Sequence, residues 1–399
     1  MQFHLDAEQQ SLRDSVARFI DKDYDFAKRS VLTSAGEGGS DANWRTFAEN
    51  GWLAAAIPEA QGGVGGSVIE TAIVSEQFGR GLVIEPYLGC AVLATQVLLA
   101  AATDAASTAW LPSLCDGSRR LALAYSEFSS RGMPHFVATR AERDGAGYRL
   151  HGHKTLVLGA PGADGYIVSA RTSGEAGHAD GISLFVVVAG DERLKIAPVT
   201  LHDGRCAAEL TFDGVRVAQP LGELNRGLPA LQEGLAHAML ALAAELVGAM
   251  ERTIEVTADH LRSRKQFGVP IATFQSLQHR MADMAAELEL ARSMLFAALA
   301  SFQNDDVATR LEMLSAAKAL IATAARNVCG QGIQLHGGIG LTEEHVVGHF
   351  FKRAVVADML FGSSAVHEAA CAQALQTRLG SDRTAASMTD QPARNLRAV

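Results

Sequence analysis

The sequence predicts a mainly α-helical fold with a β insert: an N-terminal helical domain, a central antiparallel β domain and a C-terminal four-helix bundle. Three observations carry that prediction. The apolar period is helical at first, changes to two near Leu121, and returns to helical at Leu228. Asp-Gly pairs at 144–145, 180–181 and 213–214 punctuate the middle stretch, as turns between antiparallel strands do. From Leu228 an apolar stripe of Leu231, Leu235, Met239, Leu242, Leu246 and Met250 marks a helix reaching about Ser263. At the α-helical rise that is on the order of 50 Å, too long for a lone surface helix.

Four segments follow: an N-terminal helical domain at 1–119, a β domain at 120–223, a helical bundle at 224–379 and a mobile tail at 380–399. In the first, Leu12, Val16, Phe19 and Ile20 recur at helix spacing. A polar, glycine-rich connector spans Thr33 to Asp41. An amphipathic segment around Trp44 to Gly51 comes next, then helices around Val68 to Gly79 and Gly89 to Ala101. The GGVGGS run at 62–67 has no strand before it and no Lys-Ser/Thr after it, so it reads as an inter-helix turn. The β domain holds the short β-branched runs LALAYSE, HFVATRAE, YRLHGHKTLVLG, GYIVSART, ISLFVVVAG and ELTFDGVRV. In the bundle, further helices run from about Phe274 to Phe302 and from about Val307 to Cys329. After Leu379 the apolar period is lost.

Composition excludes several classes of function. The formal charge is -9, so no basic surface advertises nucleic-acid binding. Five scattered cysteines without a CxxC pair read as reduced thiols rather than a disulfide frame or zinc site. His345 and His349 are four apart, but Val346 stands where HExxH chemistry needs Glu. The acidic, polar N-terminus is no secretory signal, and the apolar stretches carry His237 and Glu245, so a cytoplasmic chain without a membrane span is expected.

Two turns carry a chemical signal. Arg264 ends the long helix beside Lys265 and offers a guanidinium on a rigid support, suited to a pyrophosphate. Phe267 and Phe274 present flat faces for an adenine, and Gln275 can hydrogen-bond its edge or the ribose. In the turn from Gln334 to Gly340, Gly337, Gly338 and Gly340 remove side chains so that backbone can approach phosphate oxygens. The bland alternative is a capped helix end and a helix stop.

The strings FHLDAEQQSLRDSVARF, GWLAAAIPEAQGGVGG, GYRLHGHK, RSRKQFGVPIATFQSLQHRMADM and QLHGGIGLTEEH resemble acyl-CoA dehydrogenases over about residues 1 to 378. Within that family the chain resembles the small-subunit type of pimeloyl-CoA dehydrogenase, which works with a large partner subunit. The resemblance implies FAD, an acyl-CoA substrate, an electron-transfer flavoprotein or similar acceptor, and α,β-dehydrogenation of the thioester. It assigns Arg264, Gln266, Phe267, Phe274 and Gln275, with Gln334, Leu335, Gly337 and Gly338, to the adenine-diphosphate end of the flavin. Ser126, Leu156 and Leu158 fall at the flavin ring. It further implies a homo- or hetero-oligomer, since these groups hold a flavin seated largely in a neighbouring subunit.

The chain departs from the family pattern where the chemistry is done. Dehydrogenation needs a carboxylate beside the α-carbon. Gly362, in Phe361-Gly362-Ser363-Ser364, stands at the commoner base position and Ala238 at the other, so the catalytic residue is unassigned. Ala236 and Met239 replace an acid and an arginine often used for the acyl-CoA. Ser126-Glu127-Phe128 replaces Thr-Glu-Pro, with Arg131 near a phosphate position, and Leu156-Val157-Leu158 replaces a Trp-containing string. Glu245, Glu127, Glu344 and Asp358 read as solvated or capping acids rather than substitute bases. The leading expectation is one subunit of a heteromeric acyl-CoA dehydrogenase. The alternatives are a flavin oxidase or monooxygenase on the same scaffold, and a non-catalytic structural subunit.

Overall fold

The computed structural model describes residues 4–36, 38–101, 104–130, 133–303 and 306–389. The helical N-terminal region contains α1 (Ala7–Asp23), α2 (Phe26–Ala35), α3 (Asp41–Glu49) and α4 (Val68–Gly81). A π-helical stretch, Tyr87–Ala94, then runs into α5 (Thr95–Ala101), followed by α6 (Asp104–Cys115). Helix starts follow their caps: Asp6 with Gln9, and Ser67 with Glu70, form reciprocal capping boxes for α1 and α4. The 62–67 run is the turn into α4, as its sequence implies. The polar connector begins later than Thr33, because Asp25 caps α2 and carries it to Ala35, where Gly36 ends it in the left-handed region. Phe19, Phe47, Trp52 and Phe78 fill this domain's core with rings in mutual contact.

The middle domain is one sheet of β1 (Leu121–Ala124), β2 (Arg140–Asp144), β3 (Gly147–Leu158), β4 (Gly165–Arg171), β5 (Ile182–Val188), β6 (Leu194–Thr200) and β7 (Cys206–Val217). The expected antiparallel pairings hold for β2–β3, β3–β7, β6–β7 and β4–β5, but β1 pairs with β4 in parallel. A long connection follows β1 instead of a hairpin turn, and the chain returns in the same direction. Asp144-Gly145 and Asp180-Gly181 do lie in turns. Asp213-Gly214 does not: it sits inside β7 at a register shift opposite Leu150 and His151, a bulge rather than a corner. Strand β6 escaped the sequence pattern because it is a mostly exposed edge strand containing Pro198, with no alternation to read.

The C-terminal domain comprises α7 (Leu228–Ser263), a hairpin of β8 (Lys265–Gln266) and β9 (Val269–Pro270), α8 (Gln275–Ser301), α9 (Val307–His336), α10 (Val346–Met359) and α11 (Ser364–Thr389). Helix α9 packs against α7, α8, α10 and α11, so a fifth helix joins the expected four. It also runs seven residues past Cys329. Inside it, Gly332 makes room for Thr253 of α7, which a Cβ there would meet at 2.6 Å. Helix α11 continues beyond Leu379, extending an existing helix without a new nucleation cost, and 390–399 of the expected tail lie outside the described residues. Helix α7 is long and apolar enough to cross a membrane, yet 89% of its most apolar window is buried inside the protein, which accounts for its composition.

The three domains meet around Leu88 of the π-helical stretch, which packs against all three core clusters. Leu158 of β3 and Phe361, between α10 and α11, converge on this junction, and Ala238 of α7 is buried in the adjoining core.

Candidate cofactor and active site

At the far end of α7, Arg264 breaks the helix in an extended conformation while its amide still bonds the His260 carbonyl at 2.9 Å. The Ile271 amide returns to the Arg264 carbonyl, closing a short hairpin whose tip is Phe267-Gly268, both in the left-handed region. Phe267 is 93% exposed there, in edge contact with Phe274 at 6.2 Å. Arg264 and Lys265 are exposed and have no ion-pair partner among the described residues. Gln275 opens α8 with its side chain exposed, whereas the Gln266 amide donates to the Lys265 carbonyl and is already engaged.

The glycine turn begins later than its sequence suggests. Gln334 and Leu335 remain in α9, and the turn is the short helical stretch Gly337–Leu341. The Leu335 side chain packs in the bundle core, so only its backbone is available at the turn. Gln334 stays exposed. Gly338 lies outside the left-handed region and faces open space, so nothing in this chain requires its missing side chain. Free cations, bare aromatic faces and unshielded backbone fit the phosphates and adenine of a dinucleotide.

At the presumed ring end, the Ser126 carbonyl accepts from the Thr155 amide at 2.9 Å, placing Ser126 beside Leu156. Beneath them lies a buried ion pair, Lys154 Nζ to Glu127 Oε1 at 2.7 Å. Glu127 also accepts from the Ala138 and Thr139 amides and the Thr139 hydroxyl, which with Lys154 hold its carboxyl below the usual range against the cost of burial. Burial pushes the Lys154 ammonium down to about 8. Phe128 and Leu156 present apolar surface to solvent; Leu158 instead lines an internal cavity, and Arg131 lies outside the described residues.

Neither base position can accept a proton. Phe361 and Gly362 are both in the left-handed region, and a Cβ on Gly362 would come within 3.0 Å of His367 Nε2. His367 closes this turn by bonding the Phe361 carbonyl at 3.0 Å and the Ser315 hydroxyl at 3.1 Å. Ala238 is fully buried in apolar packing. The substitute carboxylates are engaged. Glu245 takes a two-pronged contact from Arg353, 2.8 Å on each oxygen, plus Arg205. Its carboxyl falls to about 2, because the two guanidiniums outweigh the desolvation that pushes it up. Glu85 accepts from Tyr24, Ser40 and Asn43. Asp358 caps the Ser364 amide and pairs with Arg326, and Glu344 is exposed.

Arg353 also binds Asp203 at 3.1 Å, and Arg29 donates to the carbonyls of Leu82 and Asp203. This cluster ties the three domains together, and the sequence gives no hint of it beyond charged residues at helix-face positions. Beside it, Leu88, Leu158, Glu245 and Leu360 enclose a cavity of about 40 Å³. That is room for roughly three waters. Ala238 and Arg264 are separated by 26 residues along α7 and its cap. At the helical rise this is about 39 Å, farther than one dinucleotide stretches.

Residues 6–118 match the acyl-CoA dehydrogenase N-terminal domain and residues 225–376 the acyl-CoA dehydrogenase C-terminal domain. The chain is similar to the acyl-CoA dehydrogenase IpdE2 of Mycobacterium tuberculosis, 32% identical over 349 residues that make up 87% of this chain and 91% of that protein. Among solved structures it is similar to the ChsE4-ChsE5 complex from Mycobacterium tuberculosis, with a TM-score of 0.83, 26% identity, and coverage of 98% of this chain and 100% of that chain. It is also similar to a variant of the Tcur3481-Tcur3483 steroid ACAD, with a TM-score of 0.82, 28% identity, and coverage of 94% and 99%. The chain thus belongs to the acyl-CoA dehydrogenase family, FAD-dependent oxidoreductases that act on the CH–CH bond of acyl-CoA thioesters.

Proposed function

We propose that this chain is one subunit of a heteromeric acyl-CoA dehydrogenase and pairs with a second acyl-CoA dehydrogenase-like chain that supplies the base. One contrast carries the reading. The groups that grip a dinucleotide are free and face outward, while Gly362 and Ala238 offer no proton acceptor and the neighbouring carboxylates are bound. When bound, FAD accepts the hydride from the β-carbon of the acyl group. In this chain Arg264 and the backbone at Gly337 and Gly338 would hold its phosphates, and Phe267 and Phe274 would offer ring faces to its adenine. Ser126 and Leu156 supply a hydroxyl and an apolar face at a ring position. The similarity to complexes named for two chains supports a hetero-oligomer over a homo-oligomer. The similarity to a steroid ACAD supports a wide acyl group such as a ring system or steroid side chain. Electrons then pass to an electron-transfer flavoprotein or similar acceptor.

The test is to purify the chain alone and together with an acyl-CoA dehydrogenase-like chain encoded beside it, recording the flavin spectrum and acyl-CoA-dependent dye reduction. Turnover is expected only from the pair. Full turnover by the chain alone would falsify the reading.

A further inference from the structure

At the end of the bundle that carries Arg264, three imidazoles from three helices stack. His260 lies in the last turn of α7, His336 ends α9 and His345 caps α10. Ring centroids are 4.4 Å apart for His260–His336, with planes 29° from parallel, and 4.6 Å for His336–His345. His336, in the middle, is only 6% exposed. Its Nδ1 lies 2.7 Å from the Gly332 carbonyl. A carbonyl only accepts, so Nδ1 carries the proton and Nε2 is left as a bare lone pair. That Nε2 is buried without a hydrogen-bond partner among the described residues.

Few things can satisfy such a lone pair. Among the described residues no group of histidine, cysteine or carboxylate side chains is arranged to hold a metal, and the His345 ring is tilted 55° to that of His336. The atom is sealed from any larger ligand. A proton remains. The charged and titratable groups acting on the stack are Arg264 on His260 and the histidines on one another, with no carboxylate among them. The carbonyls at the ends of α7 and α9 attract a cation, but burial and the neighbouring positive groups outweigh them, so a proton here is disfavoured.

We propose that the His260–His336–His345 stack is an acid-sensitive latch, closed while its rings are neutral and opened by protonation, which frees the glycine turn that starts one residue after His336. Burial holds all three imidazoles below the ordinary histidine range, His336 at about 4. The closed stack therefore contributes its full stability above the ordinary value near 6.5 and loses it as pH falls toward the folded values. His260 and His345 are half-buried and charge first. Repulsion then parts the rings, solvent reaches His336 Nε2, and a second proton holds the latch open. The ends of α7 and α9 and the start of α10 lose their common anchor together.

Hydrogen–deuterium exchange of the full chain at pH 7.5, 6.0 and 5.0, corrected for intrinsic rates, tests this on peptides covering 333–347. One linked proton predicts about a tenfold loss of protection per pH unit below the ordinary histidine value. Peptides from the centre of α7 should keep theirs. His260→Phe keeps a ring against His336, breaks no hydrogen bond and removes one linked proton site, so the local loss should become measurably shallower than in wild type, by up to about tenfold per pH unit. His336→Phe gives a second reading at the buried position, and correct folding is checked by the unchanged α7 peptides. Equal losses in wild type and His260→Phe, or no loss in wild type, would overturn the latch. The readout needs neither flavin nor partner, so it stands or falls separately from the heteromer.

Discussion

The two ends of α7 sit in opposite electrostatic states. Around Glu245 two buried arginines, Arg29 and Arg353, and the half-buried Arg205 meet buried acids at the domain junction, each carboxylate accepts several hydrogen bonds, and the space beside them has room for a few waters. Around Arg264, cations stand without partners, Phe267 is bare at a hairpin tip, and Gly338 lacks a side chain that its own chain does not exclude. Both regions are rich in charge, but only one has unsatisfied valence. A polar cluster whose groups satisfy each other holds a fold together. A cluster whose groups are left over is built for something outside the chain. On the function proposed above, this chain keeps an outward grip for the cofactor, while the expected base positions carry no acceptor.

The largest expected effect probes the closed end. Glu245→Ala strands Arg353 and Arg205 in a buried site and should cost about 3–5 kcal/mol in urea unfolding. A loss under about 1 kcal/mol would mean the junction is wetter than the geometry implies. The same carboxyl gives a pH signature. Because it is depressed from 4.5 to about 2, its contribution is complete above 4.5 and disappears as pH falls toward 2. Glu245→Gln should flatten that part of the acid-unfolding curve.

Next in size is Arg264→Ala at the open end. It should weaken FAD binding by the assembled enzyme about 10- to 100-fold, the value of a charge-assisted contact, and leave stability within about 0.5 kcal/mol. A stability loss without an affinity loss would remove the contrast between the two ends. Gly362→Glu restores a carboxylate by residue type, yet it must enter a left-handed backbone against His367. It should cost about 1–3 kcal/mol and produce no turnover in the chain alone; measurable turnover would reopen this chain's own site. The smallest effect is Lys265→Ala, an exposed and flexible point charge, which should change FAD affinity by about threefold or less.

Much of the fold was legible in the chain, and the reasons are local. Helix α7 was readable to its ends because Leu231 through Met250 keep a helical period, and the 144–145 turn was readable because Asp-Gly fits a hairpin. Asp213-Gly214 has the same composition and sits in a bulge, since register with β3 decides its role. The end of α9 was placed seven residues early, because Gly332 inside it is a packing site whose role depends on Thr253 of another helix. At the site, the exposed turn at Arg264 was legible from adjacent residues. The state of Glu245 was not. Its partner Arg353 is 108 residues away, and Asp203 is 150 residues from Arg353. By itself the sequence determined the order of helical, β and helical regions, the exposed turn at Arg264 and the lack of an ionisable side chain at Gly362 and Ala238, all of which are set by neighbouring residues and side-chain chemistry. Only the tertiary structure decided that the remaining carboxylates are bound, that Leu335 faces inward and that three histidines stack, because those depend on which distant groups the fold brings into hydrogen-bond or ring-contact range.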